Sequence, residues 1–289
     1  FPAILRRLLT PVRYWHYVKL PADRELDAAV AEVQRLAGDL VARARARLER
    51  EPGRYARPAN LLEAILAAQD ADGRGFSDRE VLGNALTMLL AGEDTTANTI
   101  AWVMHFLVQH PAVQARAQAE ADRVLGGAER PGDYATTEAL HYIDAIAYEA
   151  MRHKPVAPFL AFQPNRDVEL GDVQVPAGTV VHLLTGKVAR HEAHFTEPQA
   201  FRPERWLDAA DGSRPGHDTQ AFLPFGAGAR FCPGRHLAML EIRMVIAMLC
   251  RNFDVAPVAD APPVEEVFSL TMRPENLLVM LRPRRPRAP

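Results

Sequence analysis

Residues 225–236 read Phe225-Gly226-Ala227-Gly228-Ala229-Arg230-Phe231-Cys232-Pro233-Gly234-Arg235-His236. A cysteine sits in a glycine-rich loop, directly before a segment with Leu237, Leu240, Met244 and Met248 at helical spacing. Backbone N–H groups and the positive end of the coming helix favour a thiolate there, and Arg230 adds positive charge. Glycines at 226, 228 and 234 let the backbone approach a flat ligand closely. The competing reading is a buried cysteine in a tight turn. It is weakened because glycine, arginine and aromatic residues all stand where a thiolate metal ligand needs them.

The stretch fits Phe-x-x-Gly-x-Arg-x-Cys-x-Gly in every fixed position. It closely resembles the haem-binding loop of the cytochrome P450 family. The resemblance implies a mainly α fold with small β-sheets, and haem b (iron protoporphyrin IX) as cofactor. By the same resemblance Cys232 is the axial ligand of the haem iron, where thiolate donation favours O–O cleavage. Arg230 pairs with a propionate, Phe225 shields the cysteine, and Gly226 and Gly234 belong to the cofactor-binding loop at 225–234. Cys250, late in a helix and without turn context, reads as an ordinary buried thiol.

A long helix is expected over 77–109, opened by the capping box Ser77-Asp78-Arg79-Glu80 and closed by His110-Pro111. That is roughly 45 Å of helix at 1.5 Å per residue. Its middle and second half are apolar nearly all round, which predicts a buried course. Ala91-Gly92-Glu93-Asp94-Thr95-Thr96 interrupts that course with acids, hydroxyls and a glycine. Polar groups in a buried helix are costly without a purpose. A solvent-facing stripe explains Glu93, but it leaves unexplained why Gly92 accepts a helix penalty of roughly 1 kcal/mol. The functional reading sets Thr95 against a ligand, with the helix locally widened and waters bridging to Asp94. The segment resembles the family's Ala-Gly-x-(Asp/Glu)-Thr-(Thr/Ser) signature on the distal haem face. This implies proton delivery by Asp94 and Thr95, and room for oxygen beside Ala91 and Gly92.

Glu149-Ala150-Met151-Arg152 is an i,i+3 ion pair, worth about 0.2–0.5 kcal/mol if exposed. Downstream, Phe201-Arg202-Pro203-Glu204-Arg205-Trp206 is similar to the family's Pro-Glu-Arg-Phe segment, with Trp for Phe. The resemblance makes Glu149, Arg152 and Arg205 a buried structural triad. Between these motifs, residues 155–162 are expected to run past the haem edge, with Val156, Ala157, Phe159 and Leu160 lining the substrate pocket. Relatives place an arginine or histidine near Phe162 to hold a propionate. Here His153 is the substitute. Arg190-His191-Glu192-Ala193 departs from the usual Arg-Asp-Pro, which predicts a local loop effect.

Outward from these motifs the reading is coarser. Helices are expected at 23–50, with Leu26, Val30, Val33, Ala37, Leu40 and Ala44 on one face, and at 60–69 and 112–125. The Glu-x-x-Arg helix covers 137–153 and the proximal helix 235–252. Short strands at 168–170, 173–175 and 179–184 make a β-rich patch at 166–185. Irregular coil fills 192–234. A C-terminal hairpin over 264–283 pairs 267–272 with 277–281 around Pro274-Glu275-Asn276. The first twenty residues mix aromatics and arginines around Pro11 and Pro21; the run Arg13-Tyr14-Trp15-His16-Tyr17 reads as a loop packing against a helix, with a membrane-surface contact as the alternative.

Composition agrees with an ordinary soluble protein: 48% hydrophobic, 24% charged, and 34 basic against 36 acidic side chains for a net charge of −2. A polybasic nucleic-acid binder is excluded, and the arginines at 43, 45, 47 and 50 read as a solvated face among acidic neighbours. Two cysteines cannot build a disulfide framework. No apolar run reaches the roughly 18–20 residues of a membrane span. No HExxH, Walker or dinucleotide motif appears.

Together these readings predict that 1–289 is the C-terminal portion of a single P450 domain lacking the family's N-terminal helices. The implied enzyme is a haem-thiolate monooxygenase of a small apolar or amphipathic substrate. It uses O2 and a ferredoxin, flavodoxin or reductase-type electron donor docking near Arg235 and His236. Its expected setting is the bacterial cytoplasm. A haem-thiolate isomerase, dehydratase or peroxygenase and an inactive truncated haem protein are the alternatives; the Asp94-Thr95 pair argues against the first.

Overall fold

A computed structural model describes residues 2–10, 12–69, 72–207 and 217–284. Of the coil expected at 192–234, residues 208–216 therefore lie outside the described residues. The chain divides into two compact units, 1–93 and 94–289.

The first unit contains α1 (Pro2–Leu9), α2 (Pro21–Arg50), α3 (Gly53–Ala56), α4 (Leu61–Ala67) and the start of α5 (Asp78–Gln109). The sequence reading missed α1, whose arginines and proline resemble loop composition. Arg6 and Arg7 reach the Asp23 carboxylate, each at 3.2 Å, and Tyr14 also bonds it. Asp23 is itself fully buried and accepts from Leu20 N at the start of α2. α2 buries Ala37, Val41, Ala44 and Leu48, while Val30, Val33 and Leu40 are exposed. Of the expected face only Ala37 and Ala44 are buried, joined by Val41 and Leu48 in the second half of the helix, and α2 packs against α1, α3 and α4. Its arginines serve this unit: Arg45 pairs with Asp78, and Arg47 with the buried Glu63.

The capping box at the start of α5 is formed. Ser77 N donates to Glu80 Oε2 at 2.8 Å, and Glu80 N to Ser77 Oγ at 3.4 Å. Ser77→Ala should cost about 1 kcal/mol, read as a lower midpoint in urea unfolding at unchanged slope.

The second unit holds the rest of α5 with α6 (Pro111–Leu125), α7 (Tyr134–Glu138), α8 (His141–His153), α9 (Thr185–Val188) and α10 (Arg235–Asn252). Val103, Phe106 and Leu107 of α5 join Ala117 and Ala121 of α6, Ile143, Ile146 and Ala150 of α8, and Ile242 and Ile246 of α10 in one core. Each of the larger side chains among these, the Val, Leu, Ile and Phe, stabilises the fold by about 1.5–3 kcal/mol when fully buried. One helix was expected at 137–153, but the chain breaks at Ala139 and Leu140. The Glu120 carboxylate of α6 accepts from Tyr142 N at 2.8 Å and Ile143 N at 2.9 Å, capping α8 from a neighbouring helix.

Among the described residues, four two-stranded antiparallel sheets complete the unit. β1 (Leu160–Phe162) pairs with β4 (Val181–Leu183), and β2 (Val168–Leu170) with β3 (Val173–Val175). β5 (Phe253–Pro257) pairs with β8 (Val279–Pro283), and β6 (Glu265–Ser269) with β7 (Thr271–Glu275). The expected hairpin between 267–272 and 277–281 is thus replaced by a tighter one, turning at Leu270 with φ of 85°. Strand β8 returns instead to β5, a segment for which the sequence reading gave no element. On the other side of β5, the Gln114 side chain accepts from Val255 N at 2.8 Å and donates to Val255 O at 2.9 Å.

Candidate functional site

The Cys232 loop is built by two left-handed glycines, Gly226 at φ 70° and Gly228 at φ 65°, a conformation that other residues reach only with strain. They let Cys232 N donate to Phe225 O at 2.9 Å, closing the loop. The chain then enters α10 with Gly234 as N-cap. Cys232 is half-buried, and its Sγ makes no hydrogen bond among the described residues. A Cβ on Gly234 would stand 3.7 Å from Sγ, so glycine leaves that side of the sulfur uncrowded. Arg230 is exposed and makes no ion pair among the described residues. Arg235 is folded back: it donates to Tyr148 Oη at 3.2 Å and lies 5.9 Å from the rings of both Phe225 and Phe231. Of the two residues expected at a docking face, His236 alone is exposed. A soft sulfur on a half-buried residue at the positive end of a helix, in a loop built on glycines, suits the thiolate ligation of haem iron.

Cys250 has the opposite surroundings. It is fully buried in the core, and burial pushes its thiol up to about 12. It is inert as a ligand at neutral pH.

Asp94 and Thr95 lie on α5, which is unbroken α-helix across 91–96, without the expected widening. Thr99 Oγ1 donates to the Thr95 carbonyl at 2.8 Å within the regular turn. The expectation of a buried middle is also overturned. Of residues 78–93 only Val81 is buried; Leu89, Leu90, Ala91, Gly92 and Glu93 are exposed. Burial begins at Thr96, Thr99 and Trp102, where the helix meets the core of the second unit. Asp94 Oδ2 accepts from Thr271 Oγ1 at 3.0 Å, and Asn98 Nδ2 donates to the same hydroxyl at 2.9 Å. No hydrogen bond joins Asp94 to Cys232 among the described residues.

Glu149, Arg152 and Arg205 are brought together. Arg152 makes a two-point pair with Glu149 at 2.8 and 3.0 Å, and Arg205 Nε donates to Glu149 Oε1 at 3.0 Å. Glu149 and Arg152 are fully buried. Arg152 also donates to the carbonyls of Ala189, Pro198 and Ala200, so it fastens the coil that α8 faces. Burial alone would raise the Glu149 carboxyl, but hydrogen bonds from His153 and Arg152 and the charge of Arg152 outweigh it and hold it far below the usual range. Trp206 Nε1 adds a donor at 2.8 Å and Arg202 N another at 2.9 Å. The sequence reading noted Trp206 only as a substitute for Phe; its indole N–H was the available signal. His153 is turned into this cluster, with its Nε2 3.2 Å from Ala200 O and 2.6 Å from Arg152 Nη2. It therefore serves the triad rather than a propionate.

The segment expected to line a pocket is tied down at its start by two hydrogen bonds and at its end by strand pairing. Met272 N donates to Val156 O at 2.8 Å, and Thr185 Oγ1 to Ala157 O at 3.1 Å. Phe159 packs against His182 and Phe268, and Leu160 opens β1 opposite Leu183. A surface cleft of about 410 Å³ lined by Arg116, Glu120, His141 and Tyr142 includes none of these residues. At the loop after α9, His191 Nδ1 accepts from Ala193 N at 3.1 Å, the local turn bond that an aspartate side chain commonly makes.

The sequence pattern described as Cytochrome P450 matches residues 5–281. The chain belongs to the cytochrome P450 family. Among curated relatives of this P450, it is 37% identical over 205 residues to the mitochondrial 25-hydroxyvitamin D-1 alpha hydroxylase of Rattus norvegicus, covering 69% of this chain and 39% of that protein. It is 33% identical over 258 residues to the cyclooctat-9-en-7-ol 5-monooxygenase of Streptomyces melanosporofaciens, covering 88% and 53%. The crystal structure of the cytochrome P450DA heme domain superposes with a TM-score of 0.79 at 30% identity, covering 99% of this chain and 60% of that one. The P450 chain thus spans about half or less of the length of these curated relatives, and its mainly helical fold with small sheets is the family's. Among the described residues no helix is long and apolar enough to cross a membrane.

Proposed function

We propose that this P450 chain carries the proximal ligand and the proton-handling helix of a haem-thiolate monooxygenase. The observation that carries the reading is the Cys232 loop, with its half-buried cysteine ahead of α10 and its glycine-built backbone. Cys232 would hold the iron of haem b, Arg230 would pair with a propionate, and Phe225, Gly226 and Gly234 would wall the thiolate side. When bound, the haem supplies dioxygen activation, a chemistry no side chain offers.

The reaction balances as RH, O2, two electrons and two protons giving ROH and water. Two protons must therefore reach the distal side in each cycle. Asp94, half-buried on α5, supplies a carboxylate that can take a proton from solvent, and the adjacent Thr95 hydroxyl can pass it inward. Ala91 and Gly92, small and one turn earlier, leave space on that face of the helix. Val156, Ala157, Phe159 and Leu160 offer a mostly apolar segment, which suits a small apolar or amphipathic organic substrate. The electrons would come from a ferredoxin, flavodoxin or reductase-type donor meeting the side of α10 that exposes His236. Glu149, Arg152 and Arg205 keep the coil leading to the cysteine loop in place and take no part in the chemistry.

Thr95→Ala is expected to leave haem content unchanged while most of the dioxygen consumed ends as hydrogen peroxide. The measurement is the peroxide-to-oxygen ratio with a ferredoxin and its reductase as electron source. An unaltered ratio would remove Thr95 from the mechanism.

A further inference from the structure

We propose that Thr271 is a positioning residue for Asp94, an inference that rests on the proton-delivery reading of that acid. Thr271 opens β7, is 5% exposed, and stands between two residues one turn apart on α5. Asn98 Nδ2 can only donate, so its bond to Thr271 Oγ1 at 2.9 Å occupies the hydroxyl's acceptor side. The single hydroxyl proton is thereby directed to Asp94 Oδ2 at 3.0 Å. One carboxylate oxygen is held as an acceptor, and Oδ1 is left as the oxygen that takes up and releases a proton.

The support behind Thr271 is rigid. One turn beyond Asn98, Trp102 Nε1 donates to Met272 O at 3.1 Å, so three successive turns of α5 are bonded to the first two residues of β7. Met272 N in turn donates to Val156 O at 2.8 Å. A short path of hydrogen bonds and one peptide link therefore joins the acid to the segment assigned to the substrate. Asp94 is oriented by the same strand that holds Val156.

The test compares Thr271→Val, which keeps the shape and removes the hydroxyl, with Thr271→Ser, which restores it, in the haem-loaded enzyme. Infrared spectra of protein labelled with carbon-13 aspartate, with Asp94→Asn to assign the band, report the carboxylate directly. Thr271→Val should shift the Asp94 carboxylate band and raise the peroxide fraction of substrate-free dioxygen consumption by about threefold, a small share of what a positioned proton donor contributes. Thr271→Ser should reverse both. An unmoved band, or a moved band with an unchanged peroxide fraction, overturns the inference. If Asp94→Asn leaves the peroxide fraction at the wild-type value, the proton-delivery reading itself falls. If Asp94→Asn raises that fraction and Thr271→Val does not, only the positioning role is lost.

Discussion

Cys232→Ser should abolish the spectral signature of thiolate ligation and reduce oxygenation to background. The red-shifted Soret band formed when carbon monoxide meets the reduced protein would disappear, because a serine oxygen is a hard, weakly donating ligand for iron. The fold itself should be little affected. Cys232 contributes its backbone N–H to Phe225 O, a bond that serine keeps, and its half-buried Sγ makes no hydrogen bond among the described residues. Unfolding free energies of the haem-free forms, measured by denaturant titration, should therefore differ by less than about 0.5 kcal/mol, as for substitutions outside any special contact. A retained red-shifted band would remove Cys232 from the iron and the proposed function with it. Cys250→Ser is the contrasting control: it places a hydroxyl in the apolar core and should change stability while leaving the spectrum intact.

The largest effect on stability is expected at Arg152. Arg152→Ala would leave Glu149 fully buried with its two-point partner gone, and the carbonyls of Ala189 and Pro198 would lose their side-chain donor. Truncating one member of a buried pair costs about 3–5 kcal/mol, which is a large part of a typical total of about 5–15 kcal/mol. Urea unfolding should show that loss, whereas Arg116→Ala, which removes an exposed pair with Glu204, should cost about 1 kcal/mol or less. The same cluster sets an acid limit. The folded Glu149 carboxyl lies below its ordinary value, so its contribution is fully present above the unfolded pKa of about 4.3 and is lost as pH falls from there toward the depressed folded value. Glu149→Gln should flatten that part of the stability profile; an unchanged acid slope would show that other carboxylates govern it.

What the sequence disclosed depended on whether the signal was local. The cysteine loop was legible because its requirements are local: two left-handed glycines, a cysteine at a helix start, and an aromatic beside it. The capping box at Ser77 was legible for the same reason. The break before α8 was not, because the carboxylate that caps it belongs to Glu120, on a different helix. The C-terminal strands were misread at one residue. Pro274-Glu275-Asn276 announces a turn, and Asn276 does take a positive φ, but that turn leads from one sheet to another. The hairpin itself turns at Leu270, a residue with no turn preference, held at φ 85° by the pairing of β6 and β7. At the candidate site, residue types pointed to Asp94 and Thr95, but not to Thr271 and Asn98. Their contact links positions far apart in the chain, and nothing in a threonine or an asparagine announces it.

Gln114 has a consequence of another kind. Val255 directs both its N–H and its C=O away from β8, toward a side where no further strand is paired among the described residues. An open strand edge of that sort is a template for another chain's backbone. The primary amide of Gln114 turns one N–H and its carbonyl to the strand in the spacing of a peptide group, its other N–H going to Leu107 O, and Gln118, one turn on, reaches Phe253 O at 3.3 Å. Helix α6 therefore blunts the edge of the sheet with two side chains that imitate a neighbouring strand, and protects this face from self-association without adding a strand.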